Sequence, residues 1–434
     1  MKKALILTYY WPPSGGAGVQ RWLKFVKYFR ESGWEPVVYT PENPEYPEHD
    51  PSLLKDVPEG IEVIRTPIHE PYGAYKRLIG QKKEEKIQAG FLSVKKKNPL
   101  VENLSVWIRG NLFIPDARCL WIGPSVRFLT RYLTEHPVHA IISTGPPHSM
   151  HRIAYGLKKR IKIPWLADFR DPWTGIDFYG QLKLTRFADK KHHRQEREVL
   201  SAADRVTVVS WHWAMDLEKL WDREYDVVTN GFDPDDFRTT GIPVREPFEL
   251  THVGSLNRDR NPGLLWEVLA GLCRENAQFR QDLKLRFIGK CDHSLFADLE
   301  KYGLKDLTAE IAYMPHAEVI RESAASQVLL LLLNNTPNVL GIVPGKIFEY
   351  LATRRPVLCI GPPEGDSARI LRESGAGETC GFSDREAMRT AILGLYDRYR
   401  AGKLESCDGD FDAFSRRRLT AKITAILDEM THTT

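Results

Sequence analysis

Lys346 and Glu349 stand three residues apart in the stretch Gly341–Pro356, GIVPGKIFEYLATRRP, so a helix there presents both on one face. Pro344 suits the first helical position, and Gly345 lets a ligand approach the backbone closely. Free amides at that end, with Lys346 beside them, make an anion site. A cation for phosphate and a carboxylate for hydroxyl donors together suit a sugar nucleotide. The plain alternative is a Glu349 that only complements the helix dipole and a solvated Lys346.

The elements around this helix favour the first reading. Apolar runs at Val328–Leu333 and Val357–Ile360 flank it, which makes a βαβ unit with a parallel sheet. Other polar clusters also fall where parallel strands should end: Gly15-Gly16, Thr144–His148, Asp168–Trp173, Ser255–Arg260 and Asn334-Asn335. Asp168 and Asp171 follow a buried strand, Trp165–Phe169, and could orient an acceptor hydroxyl or stabilise an oxocarbenium-like centre. Their structural alternative is a turn at Asp171-Pro172, with Asp168 or Asp171 pairing with Arg170 or capping a helix. His148 is read as facing a crevice from a helix start, with core packing as its alternative. His151 is three residues on, but no third metal ligand stands out. His192-His193 reads as solvated in a charged helix, and Asp233-Pro234-Asp235 as a turn.

The whole chain is expected to be α/β, with two facing Rossmann-like domains and an interdomain cleft at the carboxyl ends of both sheets. Residues 1–240 form the first domain and 249–405 the second, with the Pro/Gly-rich stretch Phe237–Phe248 as linker. The segment 406–434 ends in a helix expected to pack back on the first domain. Gly15, Gly16 and Gly18 lack the dinucleotide fingerprint spacing, so that loop is read as a crevice wall.

At 434 residues, two domains are the natural size, and 42% hydrophobic with 27% charged content describes a soluble globular protein. A net charge of +4 argues against general nucleic-acid binding. Six cysteines without CxxC or zinc spacing fit a reducing cytoplasm. No apolar run approaches the ~20 residues that span a bilayer. The region 72–114 departs from the α/β rhythm. Lys76–Lys97 carries eight basic residues against Glu84 and Glu85, and Val101, Leu104, Trp107, Ile108 and Leu112 then recur at helical spacing. That pattern fits a contact with an anionic membrane surface, and equally a solvated insertion.

The motifs GSL…R…NPGLL and PGKIFEYLATRRPVL resemble the donor-binding half of GT-B glycosyltransferases of family 4. WPPSGGAGVQR, STGPPHS, ADFRDPW and VTNGFD resemble the acceptor-side half of a bacterial branch of that family. The resemblance implies a metal-independent hexosyltransferase (EC 2.4) with a UDP- or GDP-linked sugar as co-substrate and no cofactor. Transfer would proceed with retention to a glycan or lipid-linked acceptor in cell-surface polysaccharide or lipopolysaccharide assembly. The enzyme would be cytoplasmic and could lie peripherally on the membrane. Glu349 matches the second acid of the E-x7-E motif, which holds the donor ribose. Arg258 or Arg260, with Lys346, would hold the diphosphate, and Gly15 and Gly16 match the loop near the donor phosphates. Asp171, Asp168 and His148 are the acceptor-side candidates. The family's first acid falls at 341, where this chain has Gly341. The rival functions are a GT-B sugar-nucleotide epimerase and a non-catalytic sugar-nucleotide or glycan-binding protein.

Overall fold

A computed structural model of the chain describes residues 1–46, 48–70, 99–237, 241–312, 314–404, 407 and 409–432. It divides into two compact units. The first comprises Met1–Thr229 with Arg416–Thr434, and the second Asn230–Ser415. The chain therefore changes unit about ten residues before the expected boundary at 240.

The first unit holds a seven-stranded, wholly parallel sheet. Its strands are β1 (Lys2–Leu7), β2 (Trp34–Pro41), β3 (Glu62–Thr66), β4 (Ala140–Gly145), β5 (Trp165–Phe169), β6 (Arg205–Val208) and β7 (Asp226–Val227). They lie in the order β3-β2-β1-β4-β5-β6-β7. Both faces are covered, which is why β1 and β4 read as continuous apolar runs. Leu5 and Leu7 enter one core with Ile141 and Trp165, while Ala4 and Ile6 enter the other with Trp22 and Phe25. The helix Arg416–His432 packs in that second core beside the helix Ala17–Phe29, through Leu419, Ile423, Ile426, Leu427 and Met430.

The second unit holds a six-stranded parallel sheet of β8 (Phe248–Val253), β9 (Leu283–Ile288), β10 (Thr308–Ile311), β11 (Val328–Leu332), β12 (Val357–Ile360) and β13 (Gly377–Cys380). Their order is β10-β9-β8-β11-β12-β13. The order reverses beside β8 and β11, and in parallel α/β sheets ligands bind at the carboxyl ends around that switch point. Two glycines shape that edge. Gly254 follows β8 at φ +99°, and Gly289 follows β9 at φ +121°. A Cβ on Gly289 would stand 3.0 Å from the Gly254 carbonyl oxygen. Gly289→Ala is therefore expected to destabilise the second unit by about 1–3 kcal/mol, from strained backbone and contact with a rigid carbonyl. Urea unfolding checks it.

Candidate functional site

The second unit gathers four of the expected donor-site residues at one sheet edge. The helix Lys346–Thr353 starts after β11, and its Lys346 Nζ donates to the Val253 carbonyl at the end of β8, at 2.6 Å. The amine passes close to Gly254, where an added Cβ would lie 3.1 Å from it. Arg260 closes the same corner. Its Nη1 donates to the Ser255 carbonyl at 2.9 Å and its Nε to Asn334 Oδ1 at 3.0 Å. Arg258 is exposed on the same short turn, Arg258–Arg260, and among the described residues forms no ion pair. Glu349, one turn along the helix from Lys346, accepts from His316 Nε2 at 3.2 Å.

Two buried cations face each other in this corner. Burial, then the positive charge of Arg260, drive the Lys346 amine down to about 7, against the pull of Glu349 and Cys291. Burial also lowers Arg260. An anion arriving here would relieve the repulsion between the two cations. Beneath them Tyr350 accepts the Val253 N–H at 3.1 Å, and His252 shares the Leu330 carbonyl with the Tyr350 hydroxyl. Gly341 is buried in the turn Val339–Gly341. His316 and His252 were not singled out in the sequence. His316 sits in a polar run with no motif, and His252 reads as one polar residue interrupting a strand.

The other expected site residues lie in the first unit. Gly15 donates its amide to the Glu48 carbonyl, and Gly16, at φ +83°, caps the helix Ala17–Phe29. The loop is thus pinned to the segment around Glu48 and Asp50, and a Cβ on Gly15 would crowd both residues.

Asp168 occupies a different environment from the one expected of a catalytic acid. It is fully buried, and both its oxygens are committed inside the fold. Arg21 Nη2 donates to it at 2.8 Å, Trp22 Nε1 at 2.7 Å, and the Thr144 and Thr207 hydroxyls at 2.9 Å each. Burial would raise its pKa, but the Arg21 charge and these donors outweigh that and hold the carboxyl below its usual value. Arg21 in turn donates to the Val228 and Thr229 carbonyls. No lone pair of Asp168 is left for a substrate. Its role is to tie the helix Ala17–Phe29 to the ends of β4, β5 and β6.

Asp171 has the freedom that Asp168 lacks. Among the described residues its carboxylate takes no hydrogen bond or ion pair, and it is half-buried beyond the end of β5. Burial raises its pKa, Arg170 opposes this, and Asp177 adds to it. His148 is 8% exposed, and its ring stacks on Trp173 at 4.6 Å and 5°. Burial holds it neutral. His192, read as solvated, is instead 3% exposed and accepts from Trp173 Nε1 at 3.1 Å. The charged neighbours in its helix hid its inward direction. Asp233 accepts from the Asp235 amide, so Asp233-Pro234-Asp235 is the turn that was expected.

A scan against protein-family models and a search of curated proteins return no match. Solved structures do match, along the whole chain. Sucrose-phosphate synthase from Thermosynechococcus elongatus gives a TM-score of 0.60 at 14% identity, over 100% of both chains. Anabaena HepE in complex with UDP gives 0.61 at 13%, over 99% of this chain and 100% of that one. WaaG, a glycosyltransferase involved in lipopolysaccharide biosynthesis, gives 0.55 at 16%, over 98% and 99%. The fold is that of the GT-B glycosyltransferases. Its two parallel Rossmann-like sheets are the architecture expected from the sequence.

Proposed function

We propose that the chain is a hexosyltransferase-type glycosyltransferase that moves a sugar from a nucleotide-sugar donor to a glycan or lipid-linked acceptor. The observation that carries this reading is the corner where Lys346 and Arg260 crowd together over the end of β8. Two cations held close without an anion are preorganised for a diphosphate, and they act most where charge develops on the leaving group. Glu349 then takes the ribose hydroxyls, and Arg258 supplies a further cation at the rim. HepE, of the same fold, is known in complex with UDP, which supports a UDP-linked donor, with GDP as the other candidate. Asp171 is assigned to the acceptor hydroxyl, and His148 to an oxygen of the bound sugar or acceptor. Gly15 and Gly16 line the phosphate side of the acceptor unit.

Transfer with retention, in assembly of a cell-surface polysaccharide or lipopolysaccharide, completes the reading. Because Lys346 and the arginines carry the charge of the diphosphate, the reaction needs no metal. The deciding experiment incubates the protein with labelled UDP- and GDP-sugars, with and without EDTA. Slow donor hydrolysis or transfer that EDTA leaves unchanged supports the proposal. Epimerised donor, or binding without turnover, supports one of the two rivals instead. Glu349→Gln keeps one acceptor oxygen and loses the charge, so it should weaken nucleoside diphosphate binding by about 0.5–1.5 kcal/mol in calorimetry.

The helix Pro99–Leu112 bears on where the enzyme works. Leu104, Trp107 and Leu112 are exposed on it, spaced to share one side. Lys76–Lys97, the basic part of the expected membrane contact, lies outside the described residues. The proposed setting is cytoplasmic, with this helix resting peripherally on an anionic membrane face. Trp107→Ser/Leu112→Ser should reduce co-sedimentation with anionic vesicles several-fold and leave nucleotide binding unchanged. Equal recovery of both proteins with the vesicles counts against the contact.

A further inference from the structure

The first unit contains a hydrogen-bond chain that the proposed reaction leaves unused, and its proton directions can be worked out. Trp165 Nε1 can only donate, and it donates to Ser143 Oγ at 2.9 Å. The Ser143 hydroxyl lies 2.8 Å from His151 Nδ1. With Trp165 already donating to its oxygen, the one hydroxyl proton of Ser143 goes to His151 Nδ1. The opposite arrangement would leave that buried proton without an acceptor. His151 therefore carries its own proton on Nε2. His151 is fully buried, stacked on Phe169 at 4.4 Å, and its Nε2 has no partner among the described residues.

A second orphan meets it. His148 Nδ1 is also buried and without a partner. Both nitrogens converge on Gly145, the last residue of β4. A Cβ there would lie 2.6 Å from His151 Nε2 and 3.0 Å from His148 Nδ1. Only a glycine lets a donor nitrogen and a nitrogen that can accept both approach the backbone at this point. The stack on Trp173 fixes the plane of the His148 ring, and Trp173 is itself anchored to His192. His148 Nε2, unlike Nδ1, is not among the enclosed atoms, so it is the nitrogen that meets the surface.

We propose that Ser143 and His151 form an orienting relay that holds His148 in its Nε2–H tautomer, so that it presents a hydrogen-bond donor at the surface rather than a base. The two rings share no direct hydrogen bond, so the contact from His151 Nε2–H to His148 Nδ1 passes through one water, and Nδ1 accepts. His151 is a positioning residue, since it reaches the ligand only through His148. Burial keeps both rings neutral, with His151 down at about 3. The charged groups beside them are Arg170 for both and Asp168 for His151, with the His192 ring also beside His148. A donor at this position would bind a lone pair of the sugar or acceptor, or an anionic oxygen, and leave proton removal to Asp171. That last assignment rests on the proposed function, whereas the tautomer does not.

The test is nitrogen NMR of the full chain labelled with 15N-histidine, with the His148 signals identified by their loss in His148→Gln. The wild type should show the proton on His148 Nε2 from pH 6 to 8. His151→Phe keeps the aromatic packing and removes the donor, so it should give a mixture of tautomers. It should also lower kcat for transfer about tenfold with the donor KM unchanged. His151→Gln places an amide N–H near the lost Nε2–H and should restore both. A wild-type proton on Nδ1, or a tautomer unchanged in His151→Phe, overturns the relay. If His151→Phe does not fold, the wild-type tautomer and Ser143→Ala decide the matter. If no donor is turned over but the tautomer is as stated, the relay stands and the proposed function falls.

Discussion

Asp168→Ala is expected to lower the stability of the first unit by about 3–5 kcal/mol, because it breaks the buried ion pair between Asp168 and Arg21. Both partners are almost fully enclosed, at 2% and 0% side-chain exposure. Trp22, Thr144 and Thr207 would lose their acceptor in the same step. Denaturant unfolding followed by tryptophan fluorescence is the measurement. Ten of the eleven tryptophans precede residue 230, so the signal reports on this unit. Arg21→Met/Asp168→Leu removes both charges and should recover part of the loss. If Asp168→Ala unfolds like wild type but loses activity, the carboxylate is catalytic after all. The acid limb carries a further check. The folded pKa lies below the unfolded value, so this contribution is present above about pH 4 and is lost as pH falls through the folded pKa.

Lys346→Ala is expected to weaken nucleoside diphosphate binding by about 1.5–3 kcal/mol, roughly ten- to a hundred-fold, while the nucleoside alone binds nearly as before. Titration calorimetry of both ligands tests it. The charge state of the lysine adds a pH signature. In the free protein the amine sits at about 7, far below its unfolded value near 10.4. Below pH 7 the site is already charged. At pH 8 to 9 a diphosphate must draw in a proton, so affinity falls as pH rises and the measured heat depends on the buffer. Without ligand, the unfolded chain holds more protons across this window, so the stability of the second unit rises with pH from about 7 to 10. Lys346→Ala should flatten both trends. Equal diphosphate binding by Lys346→Ala and wild type would place the donor elsewhere.

How much of this was readable in the sequence depended on how loudly each residue speaks locally. The fully covered strands, such as Leu5–Leu7 and Val328–Leu332, announce themselves as apolar runs, and the helix at Lys346 is bracketed by two of them. The edge strands Thr308–Ile311 and Gly377–Cys380 carry no such signal, since each is paired on one side only and has a partly exposed, polar sequence. At the proposed site, Lys346 and Glu349 stand out because proline, glycine and charge fall together in one short stretch, and Arg260 because it ends a polar run that follows a covered strand. Asp168 misled for a related reason. A carboxylate after a buried strand suggests catalysis, but its partner Arg21 is 147 positions away. Nothing near either residue reveals that they meet. The same holds for Trp165 and Ser143, which meet only because β4 and β5 pair, while His151 comes in from the helix Ser149–Lys158.

The return of the helix Arg416–His432 to the first unit has a consequence for how the protein is made. The core beside the helix Ala17–Phe29 receives Leu419, Ile423 and Leu427 only after the 186 residues of the second unit have left the ribosome. At about 5–20 residues per second, that delay is roughly 10–40 s. For that time the nascent first unit exposes an apolar groove along the helix Ala17–Phe29, whose eventual cover has not been synthesised. The second unit has both its ends at one place, where Phe232 bridges Ser415, and can close while its host waits. Expression of this chain should therefore respond to holdase chaperones and to translation rate, and truncation before Arg416 should damage the domain that was made first.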